Sequence, residues 1–239
     1  MSFIISIFNL VFYQPLFNGL VLAYKYIPGH DFGVAIIFLT VLIKLLLYPL
    51  GNQAIKSQKA LSEIQPKIKE IQEKYKNDKE KQVAETMAIY KKMKVNPFSG
   101  FLSLFIQLPV LIALYRVFWH GFGPDQMKFL YGFVSQPESI NFSFLGLINL
   151  SQTNIAFAVL AGVLQFFQAR MVIPKVKKGN SKGSDFSVMM QKQSQYFLPF
   201  FTLIILIRLP AAIGLYWITT TLFSIIQQYL IFKKQSVKT

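Results

Sequence analysis

Residues 32–50 read FGVAIIFLTVLIKLLLYPL, and residues 51–78 continue GNQAIKSQKALSEIQPKIKEIQEKYKND. The first stretch is apolar except for Thr40 and Lys44. About 20 such residues cross the hydrocarbon core of a bilayer as one helix. The second stretch is polar and rich in lysine, yet Leu61, Ile64, Ile68, Ile71 and Tyr75 recur at steps of three and four. That spacing makes an apolar stripe on a helix. Asn77-Asp78 is a turn signal, and Val83, Met87 and Tyr90 give a second stripe beyond it. A span followed by an antiparallel helical hairpin is therefore expected, with Pro66 starting or kinking the first hairpin helix.

The whole chain repeats this separation of grease and charge. Of its 239 residues, 53% are hydrophobic and 15% charged, and the net charge is +15. Globular chains average roughly 25% charged residues. The mean hydropathy is +0.43, which excludes a disordered chain. Zero cysteines exclude a disulfide scaffold, a thiol enzyme and a cysteine lipid anchor. With only His30 and His120, zinc chemistry has few ligands to draw on.

Five spans are expected, at 32–51, 98–119, 154–173, 193–208 and 210–232. The fourth has only Tyr196 to Ile207 as its apolar run, roughly 18 Å of helix against a core of ~30 Å, so the bilayer has to thin around it or polar flanks have to enter. Arg208, Leu209 and Pro210 turn tightly into the fifth. Residues 1–31 are apolar, split by Pro15, and carry Ser2, Ser6, Asn9, Tyr13, Gln14, Asn18 and Lys25 as a narrow polar stripe. Such a stripe fits a helix lying at the interface, which is preferred here over an additional spanning anchor.

Basic residues orient the chain. Twenty of the 25 fall in segment 52–97, in 174–192 with the adjoining span end, and in the tail 233–239. By the positive-inside rule these face the cytoplasm, and the loop 120–153 faces outside. Segment 174–192 is rich in Lys, Gly and Ser and reads as a disordered loop. Lys177, Lys178, Lys182, Lys233 and Lys234 are candidate contacts for anionic lipid or for ribosomal RNA, which charge alone does not separate. Plain solvation is the commoner role of such charges.

No Walker loop, GxSxG or HExxH is present, and all ten acidic residues lie outside the spans. A coupled transporter usually needs an intramembrane carboxylate. Arg116, near the outer end of its span, reads as a snorkelling side chain. Lys44 either snorkels inward or faces a water-filled cavity between helices. Gln107, Gln165, Gln168 and the run from Thr219 through Thr220 to Thr221 are polar groups on other spans that could line the same cavity. Each alone is more often an ordinary interhelical hydrogen bond.

Several motifs in register point to one family. KLLLYPL at 44–50 is followed by IQPKIKEIQEKYKND at 64–78, KVNPF at 94–98, QLPVLIALY at 107–115, LPAAIGLYW at 209–217 and SIIQQYL at 224–230. Their order and spacing resemble the YidC/Oxa/Alb-type membrane protein insertases, over about residues 12 to 232, in a short form without the large extracytoplasmic domain. The resemblance implies an all-α polytopic protein of the bacterial plasma membrane. It implies a five-helix core whose hydrophilic groove opens to the cytoplasm and lipid, with the hairpin beneath it. The family generally has Arg in the groove on its first core span; Lys44 stands at that position. Gln168 and Trp217 match groove positions.

The expected activity is insertion of nascent membrane proteins, alone or with the Sec translocon, with no covalent chemistry, nucleotide or metal. Substrate would enter near Lys44 and slide along Phe105, Leu108, Leu203 and Ile207. Nascent membrane proteins, the ribosome, Sec translocon subunits and anionic lipids are the implied partners. Two other classes fit the composition: a small-solute transporter or channel, and a ribosome-tethering assembly chaperone without insertase activity.

Overall fold

The computed structural model describes residues 2–93, 95–96, 102–172 and 185–236, with side chains at all of these except 2, 102–106, 124, 185–195 and 234–236. It is an all-helical bundle with one minimal β-hairpin. Helices α1 (Ser2–Phe8) and α2 (Gln14–Tyr26) are joined by a π-helical turn, Asn9–Tyr13. Pro15 does not split this segment: Tyr13 and Gln14 keep right-handed helical dihedrals into α2. A π turn just before a proline eases the missing N–H and the ring clash.

Helix α3 (Phe32–Leu46) is capped by Asp31, whose carboxylate accepts from Val34 N at 2.9 Å. The chain then bends by 70° into α4 (Tyr48–Lys74). The apolar run that reads as one span to residue 51 thus ends five residues earlier as a straight helix. Pro49 supplies the reason: it has no N–H for the Leu45 carbonyl and its ring would clash there, so the helix breaks at Leu47 and Pro49 falls in the first turn of α4. Helix α4 continues through Pro66. It is followed by α5 (Lys79–Lys92), whose N-cap Asp78 accepts from Lys81 N at 3.0 Å. Ile64 and Ile68 are buried as their spacing predicts, but Val83 and Met87 are exposed. The half-buried residues of α5 are Gln82, Thr86, Ile89 and Tyr90, and Gln82 Nε2 donates to Gln72 O of α4 at 3.1 Å.

Beyond α5 come α6 (Leu102–His120), the short α7 (Pro124–Met127), strands β1 (Ser143–Phe144) and β2 (Ile148–Asn149), α8 (Ile155–Val172), α9 (Asp185–Leu206) and α10 (Ala211–Ser236). Among the described residues, Phe3–Tyr26, Ile155–Val172 and Ala211–Lys233 are long and apolar enough to cross a membrane, and the α3–α4 pair passes the same test as a broken span. Helix α9 starts eight residues before the expected short span, although its apolar part is only Tyr196–Leu206. The rest of the lysine-rich loop, residues 173–184, lies outside the described residues.

Small residues set the helix contacts. A Cβ on Gly162 of α8 would lie 3.3 Å from Pro199 O of α9, the close backbone approach by which helices pack in membranes. At the end of the bundle away from the hairpin, aromatic side chains fill the core. Phe32 makes edge-on contacts with Phe118, Phe122 and Phe142. The N-terminal polar stripe turns inward onto this end. Tyr13 donates to Gln126 Oε1 at 2.7 Å, Asn18 bonds Phe129 O and Tyr131 N, and Tyr24 OH accepts from Asn141 N. Arg116 finds partners within the protein. It donates to Asn9 Oδ1 at 2.7 Å and lies 4.7 Å from the Tyr13 ring centroid.

The hairpin β1–β2 closes over the start of α3, where a Cβ on Gly33 would fall 2.2 Å from Phe144 Cδ2. Gly33→Ala is expected to cost about 1–3 kcal/mol, the usual penalty for overpacking. Unfolding in detergent micelles measures it, and the cost should shrink when Phe144 is also replaced by Ala.

Candidate functional site

Lys44 lies in the last turn of α3, just before the bend. Its ammonium donates to Gln107 Oε1 of α6 and Ser224 Oγ of α10, both at 3.4 Å. These are long for N–H···O bonds, whose usual range ends near 3.2 Å. Gln107 Nε2 donates in turn to Tyr216 OH. Neither partner of Lys44 carries a charge, so the cation is solvated without being neutralised.

Around it is a cavity of about 190 Å³. Its lining runs from Thr40 and Tyr216 in the bundle to Gln58 of α4 and Gln228 of α10. Among the described residues no Asp or Glu lines it. Of the groove residues expected from sequence, Lys44, Gln107, Gln165, Gln168 and Thr220 share this one cavity. Trp217 stands behind the wall, donating its indole N–H to Gln165 Oε1 at 3.1 Å. Two buried acceptors of the lining, Gln228 Oε1 and Thr220 Oγ1, have no well-formed hydrogen bond among the described residues, although Thr220 lies beside Tyr216.

The expected slide does not form one exposed strip. Leu108 and Ile207 are exposed, but Leu203 is half-buried, with its Cβ 3.4 Å from where a Cβ on Gly162 would stand. The α8–α9 contact takes that face of α9 because glycine lets the backbones close there. Phe200, Phe201 and Ile204 are the exposed residues beside it. The Phe105 side chain lies outside the described residues, as do Lys177, Lys178, Lys182 and the side chain of Lys234; Lys233 is exposed at the end of α10.

The family described as the 60Kd inner membrane protein matches residues 22–238. A membrane protein insertase YidC of Fusobacterium nucleatum is 34% identical over 204 residues, covering 85% of this chain and 87% of the relative. One of Clostridium tetani is 36% identical over 208 residues, covering 85% and 82%. The chain belongs to the YidC-type insertase family. Its members differ in size: a YidC of Rickettsia bellii is 34% identical over 92% of this chain, yet only 38% of that relative is covered.

Within this insertase fold, sequence reading passed over Tyr216, Ser224, Gln227 and Gln228, although the last three lie in the quoted SIIQQYL motif. Two adjacent glutamines on one apolar helix were a signal, since each needs a partner away from lipid. Gln227 is 5% exposed and clasps the bend: its Nε2 donates to Tyr48 O at 3.1 Å and Asn52 Oδ1 at 2.9 Å. Gly51 makes room, because a Cβ there would meet Gln227 Nε2 at 3.0 Å. Replacing Gln227 by Leu removes both of these bonds and leaves Asn52 Oδ1 without that donor. The expected cost is about 1–3 kcal/mol, seen as a lower unfolding midpoint in detergent and faster amide exchange over residues 48–52.

Proposed function

We propose that this chain inserts nascent membrane proteins into the bacterial plasma membrane, receiving their polar segments in the cavity around Lys44. The observation that carries the reading is a half-buried cation among neutral groups, in a cavity of mixed polar and aliphatic lining that reaches the first hairpin helix. A polar peptide group in hydrocarbon costs several kcal/mol when unpaired. Donors and acceptors along the cavity lower that cost for a segment in transit, and the ammonium favours segments that carry acid. Burial of the substrate's apolar helix in lipid drives the process, at roughly 25 cal/mol per Å². No covalent step is needed.

In this reading α3, α6, α8, α9 and α10 form the five-helix core. The hairpin, the 174–192 loop and the C-terminus face the cytoplasm, as the distribution of lysines supports. The N-terminal helix lies along the outer interface. Tyr13 and Tyr24 are about 16 Å apart along a helix, yet both bond to the loop between α6 and α8. A helix crossing the bilayer would leave that loop within a turn or two. The exposed apolar face of α9 is where a substrate helix would leave the groove, with Leu108 and Ile207 on its path and Leu203 behind it. The lysines at 177, 178, 182, 233 and 234 serve the ribosome or anionic lipid, and the Sec translocon is a partner for larger substrates.

The test compares Lys44→Ala with Lys44→Arg in cells depleted of their own insertase. An acidic-tailed substrate should insert about tenfold less well with Ala, the equivalent of losing one charge-assisted hydrogen bond of roughly 1.5 kcal/mol. Arg should retain activity. Equal insertion by the Ala and Lys proteins would remove the charge-capture role.

A further inference from the structure

Residues 139–152, SINFSFLGLINLSQ, contain no charged residue. They connect the loop after α7 to α8 and form the β1–β2 hairpin, with Ser143 paired to Asn149 and Phe144 to Ile148. Leu145 and Gly146 turn the chain with φ of 53° and 69°, and Leu147 N donates to Phe144 O at 3.0 Å. Two successive positive φ values with that bond make a type I′ turn, which ordinarily takes Asn-Gly or Gly-Gly. Leucine in the left-handed region is disfavoured.

The tip also inverts the usual arrangement of a water-facing turn. Its polar side chains serve its own backbone: Asn141 Oδ1 accepts from Ser143 N at 3.1 Å, and Asn149 Oδ1 accepts from Ser151 N at 3.0 Å. Its leucines point away, with Leu145 63% and Leu147 85% exposed. The hairpin is held firmly in this pose. Asp31 Oδ2 accepts from Leu145 N while Oδ1 caps α3, Phe144 covers Gly33, and the Phe144 ring lies 6.3 Å from that of Phe157 in the first turn of α8. The leucines are therefore presented rigidly at the level where two apolar helices begin.

We propose that the Leu145–Leu147 tip is an interfacial lipid anchor, seated in the bilayer leaflet at the end of the bundle away from the helical hairpin. Its position follows from the helices it is pinned to. Acyl chains and headgroup carbonyls are the partner that suits an uncharged tip with apolar side chains outward and polar ones turned in. The anchor fixes the height of that bundle end in the membrane, and so the depth of the starts of α3 and α8.

The chain has no cysteine, so a single introduced thiol reports cleanly. Full-length Leu147→Cys is labelled with a nitrobenzoxadiazole dye and reconstituted into phosphatidylethanolamine–phosphatidylglycerol vesicles. Glu138→Cys, an exposed position before the hairpin, is the reference. The expected result is a blue-shifted emission at 147, quenched by phospholipid carrying a nitroxide high on its acyl chain and protected from aqueous iodide, with the reverse at 138. Equal behaviour of the two positions, in either solvent, overturns the proposal. A blue shift at 147 without quenching by the lipid nitroxide also overturns it, and assigns the tip to a protein contact.

Discussion

An ammonium group inside a bundle of apolar helices must be solvated, and the hairpin end of this protein is arranged around that demand. A lysine at the centre of a membrane helix costs about 2.5–3.5 kcal/mol on insertion scales. Without an acidic partner, the cost is reduced only by dipoles. Gln107 and Ser224 provide them at 3.4 Å from Lys44. Gln107 is then held by Tyr216, and across the cavity Gln165 is held by Trp217. Polar residues on α3, α6, α8 and α10 therefore depend on one another, and a cavity persists where apolar side chains would have closed the bundle. The opposite end makes the contrast. There a half-buried cation, Arg116, lies against two aromatic rings and an asparagine, and the core is filled largely by aromatic and aliphatic side chains.

The cavity also needs a wall toward the hairpin, and the 70° bend between α3 and α4 makes it. A straight continuation would carry Ala54, Ile55 and Gln58 away from the bundle. The bend instead puts them in the lining with Gln228. Pro49 breaks the helix, Gln227 ties Tyr48 O and Asn52 Oδ1 of the first turn of α4 to α10, and Gly51 gives Gln227 its space. A single buried side chain of α10 thus links the last helix to the direction in which the hairpin leaves.

Much of this was legible in the residues, for identifiable reasons. Helices α8 and α10 and the two hairpin helices follow from apolar periodicity and the Asn77-Asp78 turn, which are local signals. The meeting of Lys44 with Gln107, Gln165, Gln168 and Thr220 was readable because unpaired polar groups in lipid-facing helices have nowhere else to go. The misjudged features are tertiary. Pro15 has a helical solution through a π turn that no period reveals. Arg116 found Asn9, 107 residues away, where solvent seemed the nearer partner. Val83 and Met87 match a helical stripe, but α4 meets their helix on another face. Leu203 is half-buried because Gly162 draws α9 close, a contact that depends on which two helices are neighbours.

The bonding capacity left over at the site says what kind of guest it suits. Among the described residues, Lys44 carries a positive charge with no anion beside it, and Gln228 Oε1 is a buried acceptor with no hydrogen bond. A site for a single small anion would spend its capacity on donors, and a site for a cation would place carboxylates. Unused donor and acceptor capacity in one wall matches the alternating N–H and C=O groups of a polypeptide. In the proposed role a lysine suits such a guest better than an arginine in its place would. Its compact charge and rotatable donors accept approach from many directions, whereas a guanidinium fork would favour planar, bidentate partners. The exchange gives up selectivity for carboxylates and keeps the charge. In the proposed role, that balance suits a cavity that would hold each passing segment weakly enough to release it into lipid.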